Sequence, residues 1–154
     1  MINIMKKDVD LKPLLIALKA EKQAIAYYSR AGSRITNPTG KEALAKIKKQ
    51  EENHYKNLKH RFKKLAGRDL KRGEEDKVVA AISPLTEAHI PDNEASDVEV
   101  CQVAIKDENE AKHYYLKSAK TTADPETKKL YEELAAEEVR HAQVLQEICK
   151  ILSK

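Results

Sequence analysis

Tryptophan is absent from this 154-residue chain, phenylalanine occurs once, and glycine and proline occur 4 and 5 times. So few turn formers argue against a fold of many short strands, and the core must come from Leu, Ile, Val, Ala and Tyr. No stretch approaches the roughly 18–20 apolar residues of a membrane span, so no membrane association is expected. The N-terminal lysines are not followed by the apolar run of about 7–15 residues that marks a signal peptide. The two cysteines, Cys101 and Cys149, make no Cys-x-x-Cys pair, which excludes an intrinsic rubredoxin-type or zinc-ribbon centre. Buried free thiols in a reducing cytoplasm are the expectation for them. A dense basic block is also missing: the net charge of +4 comes from lysines spread through every segment. That argues for a solvated surface and against a nucleic-acid partner.

What the chain has is helix-compatible sequence, 35% of it charged, and an internal duplication. Glu51-Glu52-Asn53-His54 and Glu138-Val139-Arg140-His141 lie 87 residues apart, each a Glu-x-x-His within an amphipathic run. The same shift sets Glu21 on Glu108, Ala24 on Ala111, Tyr27 and Tyr28 on Tyr114 and Tyr115, and Pro38 on Pro125. Between 14–65 and 101–152, 13 of 52 positions are identical without a gap.

The chain therefore reads as all-α and as one domain, 1–154, made of two helical hairpins, 11–66 and 96–153, around a crossover, 67–95. Residues 1–9 read as a loose arm, with Asp10 capping the first helix and Pro13 in its first turn. That helix ends near Gly32. The second starts at the Asn37 cap and Pro38 and stops at Gly67. Ser96 or Asp97 starts the third, and Asp124-Pro125 the fourth. Apolar residues spaced by three and four form a seam on each helix. Glu21 and Glu51 are each 15 residues from Thr36, and Glu108 and Glu138 each 15 from Ala123. In antiparallel hairpins this puts each pair at one level, about 22 Å from its turn. The 29-residue crossover, with a helix-compatible stretch from Asp76 to Ile82, is long enough to return along a bundle about 40 Å tall.

Residues three apart share a helix face, so each Glu-x-x-His aims a carboxylate and an imidazole at one spot where leucine would ordinarily sit. Four ionised glutamates buried together are prohibitive without counter-charge; two divalent cations supply it. The predicted ligands are Glu21, Glu51, His54, Glu108, Glu138 and His141. Glu51 and Glu138 bridge, while Glu21 with His54 and Glu108 with His141 hold the ends. Carboxylate-rich sites with one imidazole per metal suit iron or manganese, with zinc an adventitious occupant. Ala24 and Ala111 leave space beside the site. Tyr28 and Tyr115 return to the same face seven residues after Glu21 and Glu108; core packing and a hydrogen bond to a ligating carboxylate are both open to them. Tyr27 and Tyr114 read as packing, and His60, His89 and His113 as surface residues.

This pattern resembles the ferritin-like di-iron carboxylate superfamily, and most closely its rubrerythrin branch, over about 11–66 and 96–153. The resemblance implies a ferritin-like four-helix bundle whose ligand roles fall on the same six residues, with two iron ions as cofactor. It implies an oxidoreductase that reduces hydrogen peroxide or dioxygen in oxidative-stress defence, or a ferroxidase that stores iron. A homodimer is the expected assembly. Typical rubrerythrins carry a rubredoxin-like module with two Cys-x-x-Cys pairs; without those pairs, electrons are expected from a separate donor such as a rubredoxin. Rubrerythrins also place a further glutamate where Ala111 stands. Bacterioferritins follow the helix-B glutamate with a haem-binding methionine; Glu52 stands there, so no haem is expected. A non-catalytic bundle stabilised by its metals, and an oxygenase acting on an organic substrate, are the remaining readings.

Overall fold

The computed structural model describes residues 2–78 and 96–154, with side chains from residue 11 onward. Four helices carry the fold: α1 (Ile2–Arg34), α2 (Pro38–Ala66), α3 (Asp97–Thr121) and α4 (Pro125–Leu152). A short 3-10 turn, Glu74–Lys77, follows α2. It is pinned to the hairpin by the buried Glu75, which accepts from Lys22 Nζ at 3.3 Å and from the Tyr55 hydroxyl at 3.2 Å. Beyond Val78 the rest of the Asp76–Ile82 stretch, and His89, lie outside the described residues.

The helix boundaries follow their local chemistry. The Asn37 side chain accepts from the Gly40 amide at 3.0 Å and the Asp124 side chain from the Thr127 amide at 2.9 Å, each one residue ahead of a proline. Ser96 does the same for α3 through the Glu99 amide at 3.1 Å. Gly67 closes α2 at φ 71°, a left-handed conformation that only glycine adopts cheaply. The first helix departs from expectation. It begins at Ile2 and runs through Asp10 and Pro13, so the helix starts eight residues before the expected Asp10 cap and residues 2–9 belong to it. Proline removes one backbone bond, and a 33-residue helix of otherwise good helix formers absorbs that loss. At its other end α1 continues past Gly32 to Arg34.

Cross-helix hydrogen bonds fix the topology. Tyr27 donates to the Val100 carbonyl at 2.7 Å and Tyr114 to the Pro13 carbonyl at 2.8 Å, so α1 and α3 run antiparallel. The Arg61–Glu126 ion pair at 2.7 Å and the approach of Gly40 to Leu152 set α2 against α4 in the same sense. With each hairpin antiparallel, α2 and α3 are parallel, and α2 ends at the opposite end of the bundle from the start of α3. Pro13 and Val100 are themselves 87 residues apart, so the duplication survives as an approximate two-fold axis through the bundle.

Two apolar clusters fill the interior. One gathers Tyr27, Tyr28, Ile35, Leu44, Ile47, Cys101, Leu145 and Ile148; the other gathers Leu14, Leu18, Leu58, Phe62, Tyr115, Tyr131 and Leu134. The cysteines overturn the expectation of free thiols. Cys101 and Cys149 are joined in a disulfide with Cα atoms 5.8 Å apart, tying α3 to α4. Adjacent antiparallel helices bring the two residues within bridging distance, which spacing along the sequence did not reveal. The first hairpin has Leu14 and Phe62 at the equivalent positions. Because the bridge closes a loop of 48 residues, reduction is expected to lower stability by about 2–4 kcal/mol. At about 2–4 °C per kcal/mol for a chain of this size, a melting curve with reductant should move down by roughly 5–15 °C. Cys101→Ser should show the same drop without reductant; an unchanged transition would remove the cross-link from the account of stability.

Candidate metal centre

The seam glutamates and histidines meet between the two apolar clusters. Glu21, Glu51, His54, Glu108, Glu138 and His141 are all buried, none more than 4% exposed. The antiparallel register brings His54 Nδ1 to 3.2 Å from Glu138 Oε1 and 3.6 Å from oxygens of both Glu21 and Glu51. His141 Nδ1 lies 2.9 Å from Glu51 Oε1 and 3.4 Å from Glu108 Oε2. The imidazole rings stack with centroids 5.6 Å apart.

The donor atoms fall into two overlapping sets of four: Glu21, Glu51, His54 and Glu138, and Glu51, Glu108, Glu138 and His141. Glu51 and Glu138 belong to both. Six buried polar atoms without a hydrogen-bond partner come one from each of these residues: Glu21 Oε2, Glu51 Oε1, His54 Nδ1, Glu108 Oε2, Glu138 Oε1 and His141 Nδ1. Buried polar groups are almost always partnered, so six such atoms converging on one spot fit a shared cation better than any internal network.

The electrostatics point the same way. Burial pushes the Glu51 carboxyl well above its ordinary range, and Glu21, Glu138 and Glu108 push it further. Glu138 is raised in the same manner by burial and then by Glu108. Glu21 is the exception: burial raises it, but its closeness to Glu51 and His54 and the hydrogen bond from Tyr115 outweigh that and leave it lowered. His54 is raised, because Glu21 and Glu137 outweigh burial. Two strongly elevated carboxyls amid four show a cluster short of positive charge.

The tyrosines pair across the two-fold. Tyr28 on α1 donates to Glu108 Oε1 at 2.6 Å, and Tyr115 on α3 donates to Glu21 Oε1 at 2.5 Å. Burial lifts both phenols well above their usual range, so each keeps its proton and acts as a donor. These bonds occupy one oxygen of each outer glutamate and leave the other, Glu108 Oε2 and Glu21 Oε2, without a hydrogen-bond partner. Tyr27 and Tyr114 bond to backbone carbonyls instead. His60 and His113 are exposed, and Ala24 and Ala111 are buried beside the site.

Three residues at the site escaped sequence reasoning. Glu137 Oε2 contacts His54 Nε2, and Gln50 Oε1 lies 2.7 Å from His141 Nε2. Each stands directly before a motif glutamate and holds the histidine of the other motif, so position −1 of the Glu-x-x-His was the available signal. The third is Asp107, buried next to Glu108 and raised well above its ordinary range by burial and then by that neighbour. A lone acid flanking a predicted ligand gives no sequence signal of its own. Among the described residues, no helix is long and apolar enough to cross a membrane.

Comparison with known proteins agrees with this arrangement. No curated protein matches the chain. Among solved structures, a hypothetical protein from Pyrococcus furiosus superposes with a TM-score of 0.79 at 23% identity, covering 92% of this chain and 88% of that one. A dodecameric thioferritin, the bacterioferritin-related protein of Bacteroides fragilis, superposes with a TM-score of 0.77 at 19% identity, covering 96% and 88%. At these identities the likeness is one of fold, a ferritin-like bundle. The rubrerythrin family model matches residues 12–148, from within α1 to within α4, and the chain belongs to the rubrerythrin family.

Proposed function

We propose that the six residues bind two iron ions, and that the reduced pair serves to reduce hydrogen peroxide or dioxygen. The observation that carries this reading is the two overlapping ligand sets that share Glu51 and Glu138. Glu21 with His54 and Glu108 with His141 hold the two ends, and manganese would fit the same donors. When bound, the pair supplies two electrons, one per ferrous ion, and stabilises charge developing on the oxidant's oxygens. Peroxide reduction then balances: the O–O bond breaks, and two electrons with two solvent protons complete two waters. Tyr28 and Tyr115 keep Glu108 and Glu21 oriented while the charge at the centre changes. The chain has no Cys-x-x-Cys pair, so a separate donor such as a rubredoxin returns the electrons.

Rapid mixing of anaerobically reduced, iron-loaded protein with peroxide tests this. Re-oxidation is expected to be far faster than that of free ferrous ion at the same concentration, with water as the only oxygen product. A rate no greater than free iron would remove the proposal. Ferroxidase activity with iron storage is the second reading, favoured by the fold shared with a protein described as a dodecameric thioferritin. Light scattering separates the two: storage needs a closed multi-subunit shell, whereas peroxide reduction is served by a dimer.

A further inference from the structure

The approximate two-fold relates like to like at almost every polar position around the centre: Glu21 to Glu108, Glu51 to Glu138, His54 to His141 and Tyr28 to Tyr115. It fails where the histidines are held from behind. His54 Nε2 meets a carboxylate, Glu137, while His141 Nε2 meets an amide oxygen, Gln50. From this difference we infer that the two metal positions are chemically unequal, and that Glu137 is the positioning residue that makes the His54 end the tighter one. This inference rests on the metal centre proposed above.

Both imidazoles turn Nδ1 toward the glutamates and Nε2 outward. With Nδ1 reserved for metal, Nε2 carries the hydrogen and donates it to Glu137 or Gln50. A hydrogen bond to an ionised acceptor is roughly twice as strong as one to a neutral acceptor. The carboxylate therefore leaves more electron density on Nδ1 of His54 than the amide leaves on His141. Removing such an outer partner typically lowers metal affinity about 10–100-fold.

Glu137 stands in polar, partly solvated surroundings. It is 42% exposed, at the edge of a polar cavity of about 360 Å³ lined also by Gln50, Asn53, Lys56 and Asn57. Arg140 Nη2 stands 3.7 Å from its other oxygen, a loose surface pair that does not compete for Oε2. The two-fold also fails at Asp107, which replaces Ala20. Its Oδ1 has no hydrogen-bond partner, and the test includes it as a control.

The experiment uses full-length protein with 15N-labelled histidine, loaded with Zn²⁺ and then mixed with excess chelator, while the two imidazole signals are followed. His141 is expected to lose its metal first, about 10–100-fold faster than His54. Glu137→Gln, isosteric and half-exposed, should bring the two rates together, and Gln50→Glu should do so by slowing the His141 end. Asp107→Asn should leave the order intact. Simultaneous release in the wild type, a gap that Glu137→Gln leaves unchanged, or a gap abolished by Asp107→Asn would each overturn the inequality. If Zn²⁺ never shifts both imidazoles in the loaded wild type, the metal centre itself fails, a result distinct from equal release.

Discussion

Loading with Mn²⁺, or anaerobically with Fe²⁺, should raise the melting temperature by roughly 15–30 °C and reverse its dependence on pH. A ligand at a thousand times its dissociation constant stabilises the folded state by about 4 kcal/mol, and two metals double that. A chain of this size moves about 2–4 °C per kcal/mol. The pH behaviour follows from the carboxyls. Burial and neighbouring carboxylates raise Glu51 and Glu138 well above 4.5 in the metal-free fold. That fold therefore binds more protons than the unfolded chain, and its stability falls as pH rises above about 4.5. His54, raised above 6.5, acts in the same direction at higher pH. Glu21, lowered from 4.5, acts oppositely only below about pH 4.5, outside this range. Metal binds the deprotonated ligands, so the loaded protein gains stability over the same range. Melting curves from pH 4.5 to 8 with and without metal should diverge as pH rises. Parallel curves would mean that the cluster holds protons rather than cations.

The topology and the cluster were legible in the sequence because both depend on spacing. An 87-residue repeat, equal distances from Thr36 and Ala123, and glutamates in leucine positions fix which side chains share a level, whatever the details of packing. The caps at Asn37, Ser96 and Asp124 and the stop at Gly67 were equally local. What the sequence hid depends on contacts between helices. The pairing of Cys101 with Cys149 needs the distance between α3 and α4. The crossed contacts of Glu137 with His54 and of Gln50 with His141 need the antiparallel register of α2 against α4. The start of α1 was missed for another reason. Proline near a helix start and proline inside a long helix look alike in sequence, and Asp10 just ahead of Pro13 matched the pattern of a helix start.

Replacing a shared glutamate should separate function from stability. Glu51→Met fills a similar volume, removes a carboxyl common to both ligand sets and leaves no new polar group to satisfy. Both metals should be lost under conditions that saturate the wild type, because a missing ligand weakens binding beyond the 10–100-fold that an outer partner contributes. Glu21→Met touches one set only, so one metal per chain should remain by elemental analysis. The metal-free proteins should rank the other way. A buried carboxyl without its cation is a liability, and exchanging buried charge for well-packed apolar groups commonly stabilises by about 1–4 kcal/mol. Metal-free Glu51→Met should therefore melt roughly 2–15 °C above the metal-free wild type at pH 7, yet below the loaded wild type. A purely structural glutamate, held by protein partners, predicts the opposite: its loss would strand those partners and lower the metal-free transition. Glu51 Oε1 makes no hydrogen bond, and the atom 2.9 Å from it, His141 Nδ1, is itself one of the proposed ligands. A helical bundle that accepts four carboxyls in leucine positions trades stability for a binding site, and this variant measures that trade.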